Sequence, residues 1–260
     1  MKSKRYTLDK FLLSWKFIIL VIVLQFVLPP IVAKGFQWEE WGNIISNTLT
    51  HAFIQTLYPY AWFFQILAIG MLLLLAVRKE KASCWFMLYA GYCFTLYAII
   101  QNMAFTEKYG FSMVTINAVM MLLVAWIWFR GALLGNCRFT FSNLNWKTVW
   151  TIPVAFFCLW WPMDMMQGAV PDCNLMYLFN GGSAMAFCPM TPIFLTLLIL
   201  SKRDIDITLL RVTAVVGFII GCYNMGNFAS DAGFYLGLYH LPLLGMSLYA
   251  LLISKKKENN

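Results

Sequence analysis

Residues 180–200 read NGGSAMAFCPMTPIFLTLLIL, an apolar stretch whose first half is interrupted by glycines and prolines. A membrane-spanning helix needs about 20 mostly apolar residues, and this stretch has that length. Pro189 and Pro192 cannot donate the backbone hydrogen bonds that the carbonyls of Met185 and Cys188 accept in a regular helix. The pattern favours either a discontinuous helix that builds a binding site or an ordinary proline kink.

The composition of the whole chain places this stretch in a membrane protein. Of its 260 residues, 61% are hydrophobic and 12% are charged, whereas soluble domains carry about 25% charged residues. We predict one all-α, polytopic transmembrane domain covering residues 1–260. About eight spans are predicted, at residues 11–33, 52–77, 83–105, 111–130, 147–167, 177–200, 207–228 and 233–253. The spacing of Trp38, Trp41 and Ile44 also predicts an amphipathic helix at about 36–50, lying in the membrane interface.

The basic residues predict the orientation of these spans. Of 19 lysines and arginines, all but Lys16, Lys34 and Lys108 lie in the terminal segments, in alternate connections or at their edges. The positive-inside rule then places both termini in the cytoplasm and the protein in the cell inner membrane. We therefore expect the net charge of +8 to meet the lipid bilayer, and we predict no nucleic-acid partner. Tyr58, Trp160 and Trp161 fit aromatic belts at the membrane surface.

Polar residues concentrate in the predicted outer halves of the spans, while the inner halves are apolar. Because polar groups in hydrocarbon must find partners or face water, this asymmetry predicts a polar cavity open to the outside. The candidate substrate-binding residues are Cys188, His240, Asp231, Asn224, Asn227, His51, Asp164 and Asn180. Each of these side chains is also compatible with a structural role as a hydrogen-bonding or capping residue.

Sulfur is abundant around the opening stretch. Three cysteines and six methionines lie between Cys158 and Met190, and such ligands suit Cu(I). Methionine also fills gaps in helix bundles, and no metal-ligand motif is present, so we predict neither a metal nor a cofactor. A disulfide between Cys173 and Cys188 is compatible with an oxidising outer side.

The segments FCPMTPIFLTLLIL (187–200) and ASDAGFYLGL (229–238) together resemble an uncharacterised bacterial family of small multi-pass membrane proteins. Members of that family carry a Cys-Pro-x-Thr motif in a late helix, and the resemblance rests mainly on Cys188, Pro189 and Thr191. It implies that the motif is a family feature, and it implies no activity.

Three functions follow from these observations as alternatives. The favoured one is binding or transport of a small solute or ion through the outward-facing cavity. The second is a membrane-embedded enzyme acting on a lipid or amphiphile, with His240 paired to Asp231 or Asp164, or ligating a metal together with His51. The third is a non-catalytic subunit that packs against a partner. Small residues four apart, such as Gly217 and Gly221, favour close helix packing within one bundle, with a homo-oligomer as the alternative.

Overall fold

The computed structural model describes residues 2–164, 169–229 and 233–255, and within them the predicted all-α class is confirmed. The α-helices of this part of the chain are α1 (Lys2–Leu13), α2 (Trp15–Val27), α3 (Trp41–Thr50), α4 (Ile54–Leu57), α5 (Ala61–Arg78), α6 (Ser83–Ile100), α7 (Thr115–Leu134), α8 (Thr151–Trp160), α9 (Tyr177–Asn180), α10 (Phe187–Leu200), α11 (Ile207–Asn224) and α12 (Phe234–Lys255). Short strands accompany them: β1 (Ile31–Val32), β2 (Met103–Thr106), β3 (Gly110–Met113), β4 (Met163–Asp164) and β5 (Val170–Pro171).

Four helical stretches of the described residues are long and apolar enough to cross a membrane: Ile54–Ile100, Thr115–Leu134, Ile207–Ala229 and Phe234–Ser254. A fifth is obtained if Tyr177–Met185 and Phe187–Leu200, which meet at an angle of 95°, form one span. The first stretch consists mainly of α5 and α6, which are separated at Lys79, a residue with φ of +46°. Each of these two helices has 18 residues, or about 27 Å of helix.

Two predicted spans are shorter as helices than the sequence suggested. Residues 11–33 contain the end of α1 and the 13-residue α2, with a break at Ser14. In the described part of the other span, residues 147–164, the one α-helix is the 10-residue α8, which ends where Trp161 adopts φ +44° before Pro162. A left-handed residue followed by a proline stops a helix regardless of how apolar the segment is.

A small sheet takes the place of the end of predicted span 3 and the start of predicted span 4. Strands β2 and β3 form an antiparallel hairpin, with Phe105 opposite Phe111, and β1 pairs with the other edge of β3. The hairpin turn ends at Gly110, whose φ of +67° favours glycine. Hydropathy could not distinguish these strands from the adjoining helices α6 and α7, because alternating residues of both strands are as apolar as the helices.

Helix α3 packs over this hairpin. Glu40, at the start of α3, accepts hydrogen bonds from Lys108 (2.8 Å) and from the Tyr109 hydroxyl (3.0 Å) at the hairpin turn. The backbone of Phe53 donates to the carbonyl of Met103 (3.0 Å), which joins the end of α3 to β2. The sheet and α3 thus form one layer that covers an end of the helix bundle.

Helix α10 lies at the centre of the bundle and contacts α6, α8, α11 and α12. Twelve of its fourteen residues are buried, as expected for a helix that is apolar on all sides. Around it, Phe194 packs against Phe86, Phe94 and Trp128 with ring centroids 5.3–5.9 Å apart. The middle of α10 is therefore packed against aromatic rings of α6 and α7.

Candidate functional site

Two cavities of the described structure differ in chemistry. One, of about 430 Å³, lies between α5, α8 and α10 and is walled by apolar side chains except for Thr196. The other, of about 460 Å³, lies where α3, α4, α10, α11 and α12 converge, and about half of its lining residues are polar. Ligand sites combine an apolar wall with a few convergent polar groups, so the second cavity is the candidate site. We refer to it as the polar cavity.

The polar cavity brings together four of the predicted site residues, from separate elements. Cys188 comes from the first turn of α10, Asn224 from the end of α11, Asn227 from the following turn and His240 from α12. The Asn224 amide lies 3.9 Å from the Cys188 sulfur and donates to the carbonyl of Ile220 (2.8 Å). Asn227 donates to the Asn224 side-chain oxygen at 3.5 Å, the outer limit of a hydrogen bond.

His240 is only 6% exposed, and its Nδ1 lies 2.6 Å from the carbonyl of Leu236 on its own helix. Because a carbonyl only accepts, Nδ1 carries the proton, and neutral His240 keeps Nε2 as an acceptor. The imidazole packs edge to face against Trp161, with centroids 6.1 Å apart. Trp161 also lines the polar cavity, in a backbone conformation that is unusual for a residue with a side chain.

The floor of the polar cavity is the break between α9 and α10. The break lies at Ala186, which is extended (φ −120°, ψ 136°), and α10 starts at Phe187. Pro189 is therefore the third residue of α10, where a backbone N–H has no partner inside the helix. The expectation that Pro189 frees the carbonyl of Met185 is corrected, because Met185 precedes α10. Pro192 does lie inside the helix, so the Cys188 carbonyl lacks its usual helical donor.

Side chains from other helices satisfy the backbone at this break. Gln65, fully buried on α5, donates to the carbonyl of Leu159 (2.8 Å) and accepts from the backbone of Ala184 (3.1 Å). The Ser183 hydroxyl lies within hydrogen-bonding distance of both Gln65 Oε1 (2.9 Å) and the Leu159 carbonyl (2.7 Å). Gln65 thus fixes the end of α8 to the segment that precedes α10.

Two further side chains form hydrogen bonds to the same segment: Tyr97, on α6, and Gln101, the residue after α6. The Tyr97 hydroxyl donates to the carbonyl of Ala184 (2.8 Å), and Gln101 accepts from the backbone of Phe187 (2.9 Å). Gln101 also lines the polar cavity. The discontinuity is consequently a hydrogen-bonded feature of the fold, in which the backbone N–H groups of Ala184 and Phe187 and the carbonyl of Ala184 bind side chains of the protein.

Three other predicted site residues, His51, Asp164 and Asn180, do not line the polar cavity. His51 is exposed at the end of α3, with Nδ1 2.9 Å from the carbonyl of Asn47, although its neighbours Thr50 and Ala52 line the polar cavity. Asp164 is partly buried in β4, and Asn180 is exposed at the end of α9. Asp231 lies outside the described residues. The histidine–carboxylate and two-histidine arrangements are therefore not assembled in the described cavity lining.

The sulfur-rich segment is dispersed. Cys173 is exposed and Cys188 lines the cavity, and both are free thiols. Within residues 2–164, 169–229 and 233–255, no group of three or more His, Cys, Asp or Glu side chains could hold a metal ion.

Several site residues were missed as candidates by the sequence analysis. Asn117, on the first turn of α7, and Gln65 are polar residues inside predicted spans, which was a usable signal. Tyr58 and Trp161 were interpreted as belt aromatics, yet both line the polar cavity. Their role depends on the break at Ala186 and on the end of α8, which hydropathy does not locate.

No family model matches the chain, and comparisons with curated proteins and with solved structures find no significant match. The interpretation of the site therefore rests on the geometry of this chain alone.

Proposed function

We propose that the chain is an integral membrane protein of eight spans, with both termini in the cytoplasm, that binds a small solute in the polar cavity. Support for the topology comes from the distribution of lysine and arginine, which fits an even number of spans. In this arrangement α2 and α8 cross as short helices extended by adjoining turns, and α5 and α6 cross separately. The connection between α6 and α7, which contains the hairpin, then faces away from the cytoplasm.

The observation that carries the proposal is the convergence of polar side chains on one cavity. Cys188, Asn224, Asn227 and His240 come from three helices and the turn after α11, and they meet in a space of about 460 Å³. That volume lies within the range of about 300–1,000 Å³ typical of ligand sites. Polar residues within membrane helices are functional candidates, because they are unfavourable unless partnered or hydrated.

Binding is favoured over passage in the conformation described. Below the cavity floor, α10 is buried on nearly all sides and Phe194 is enclosed by other aromatic rings. A solute in the polar cavity could reach the cytoplasm only if α10 moved relative to α6, α11 and α12. Translocation of the solute across an inner membrane is thus a further step of the same proposal, and it requires a second conformation of the protein.

Thiol labelling tests the accessibility of the cavity. In a variant in which exposed Cys84, Cys173 and Cys222 are replaced by serine, Cys188 is the remaining cysteine that is not fully buried. We expect a small, membrane-impermeant methanethiosulfonate to modify Cys188 when applied to intact cells, and not when applied to inverted membrane vesicles. The same background with Cys188→Ser is the control for modification elsewhere. Labelling only from the cytoplasmic face would contradict the proposed orientation.

A further inference from the structure

The described lining of the polar cavity is polar but contains no Asp, Glu, Lys or Arg side chain. Its hydrogen-bonding capacity comes mainly from carboxamides on six positions: Gln55, Gln101, Asn102, Asn117, Asn224 and Asn227. Hydroxyl groups of Ser46, Thr50 and Tyr58 add to them. A carboxamide offers both a donor and an acceptor but no net charge.

Part of this capacity is not used within the described protein. The side chains of Gln55 and Asn117 make no hydrogen bond in the part of the chain that the structure describes, and both line the polar cavity. Gln101 uses its oxygen to accept from Phe187, which leaves its NH₂ group as a donor. In its neutral form, His240 donates through Nδ1 and has Nε2 as an acceptor. Donors and acceptors are thus available on different walls.

We infer that the ligand of the polar cavity is an uncharged, hydroxyl-rich solute of the polyol or sugar type; this inference rests on the proposed function. An ion leaving water for a partly buried site needs opposite charge or a dense set of ligands, because its desolvation is costly. The described walls supply neither a charged side chain nor a metal-ligand cluster. The set of polar side chains in the lining instead matches a neutral molecule with many groups that each donate and accept.

The apolar part of the lining supports the same class of ligand. Trp161, Tyr58 and Phe187 present aromatic rings to the cavity beside the carboxamides. A hydroxyl can pair with either end of a carboxamide, whereas the C–H faces of a sugar ring are suited to aromatic surface. A lining that contains both carboxamides and aromatic rings therefore fits a molecule that is hydroxylated at its edge and apolar on its faces.

The test is a set of hexose derivatives that differ in charge: glucose and sorbitol (neutral), gluconate (anionic) and glucosamine (cationic at pH 6). Each is added at equal millimolar concentration to the protein in lipid nanodiscs, with Cys188 as the only accessible thiol. We measure the rate of Cys188 modification by a methanethiosulfonate. Protection of the thiol reports occupancy directly, whereas a rise in melting temperature would also follow from the general stabilising effect of sugars.

We expect the neutral probes to slow modification of Cys188 and the charged probes to protect at least tenfold more weakly. Asn117→Leu should lose most of the protection. Gln55→Ala should also weaken the protection, and because Gln55 is exposed, this second variant leaves core packing unchanged. Asn43→Leu, exposed on α3 and absent from the cavity lining, is the matched control and should behave as the unsubstituted protein.

The outcomes separate the two proposals. Protection by gluconate or glucosamine alone would overturn the inference about charge while leaving the binding cavity intact. Failure of every probe to protect an accessible Cys188 would overturn the inference. If Cys188 also proved inaccessible from the non-cytoplasmic face, the proposed function would fail with it.

Discussion

Single uncharged side chains, rather than charged ones, complete the hydrogen bonding at the centre of this molecule. Gln65, Tyr97 and Gln101 each contribute a polar group to the segment between Ser183 and Phe187. Buried peptide groups need partners, because an unsatisfied one costs as much as the desolvation of that group. At the residue scale, the break before α10 is therefore maintained by its partners as much as by its own glycines and prolines.

Replacing Gln65 tests this interpretation. Gln65→Leu keeps a side chain of similar size but leaves the backbone N–H of Ala184 without its acceptor in a fully buried position. We expect a loss of about 1–3 kcal/mol in the free energy of unfolding. The measurement is thermal or denaturant unfolding in nanodiscs. Gln37→Leu, at an exposed residue before α3, should leave stability unchanged, and equal stability of both variants would argue against the role given to Gln65.

At the scale of the helices, α11 and α12 are in close contact at two glycines of α11. A Cβ atom on Gly217 would collide with the Ser247 hydroxyl and lie 3.3 Å from the Thr191 methyl group, and one on Gly221 would lie 3.1 Å from the Cα of Leu244. The small-residue spacing noted in the sequence thus serves contact within the bundle. Thr191 and Ser247 are both completely buried.

We predict that Gly217→Ala separates α11 from α12 and destabilises the protein by about 1–3 kcal/mol, as expected for overpacking. Gly245→Ala is the matched control on α12, since nothing lies within 4 Å of a Cβ there. That control should be neutral or stabilising by up to about 1 kcal/mol, because alanine favours a helix over glycine. The double variant Gly217→Ala, Ser247→Ala should regain part of the stability. No recovery would show that another contact limits the approach of the helices.

For the whole molecule, the number of spans determines which side the cavity faces. Eight spans place both termini on one side, whereas five spans place them on opposite sides. The polar cavity and the hairpin belong to the same end of the bundle, because α3 packs on β2 and its residues Ser46 and Thr50 line the cavity. Locating the hairpin therefore also locates the cavity.

Reporter fusions test this topology. We expect a fluorescent protein fused after Asn260 to be fluorescent and alkaline phosphatase at that position to be inactive, because the C-terminus is proposed to be cytoplasmic. Alkaline phosphatase inserted in the hairpin turn, beside Lys108, should be active. An active phosphatase at the C-terminus together with a cytoplasmic N-terminus would indicate an odd number of spans and would contradict the proposed arrangement.

The candidate site was predictable in part. Cys188, Asn224, Asn227 and His240 were identified because polar residues in apolar segments are few, and these four do meet in one cavity. The polar cavity is not lined by His51, Asp164 or Asn180, although all three lie on the predicted outer side of the membrane. Lying on that side does not determine how deep a residue lies or which way its side chain points. Asn117 was overlooked, although it too is a polar residue in an apolar segment.

By itself, the sequence determined that this chain forms apolar helices suited to a membrane, because segment length and composition act locally and dominate the choice of structure. It also marked residues 180–192 as the site of either a discontinuous helix or a proline kink. Only the tertiary structure decided that the helix breaks at Ala186 and how the break is satisfied, because Gln65, Tyr97 and Gln101 lie between 86 and 119 residues away in the chain from the groups that they bind. Hydrogen bonds over such distances depend on helix packing, which no local pattern records.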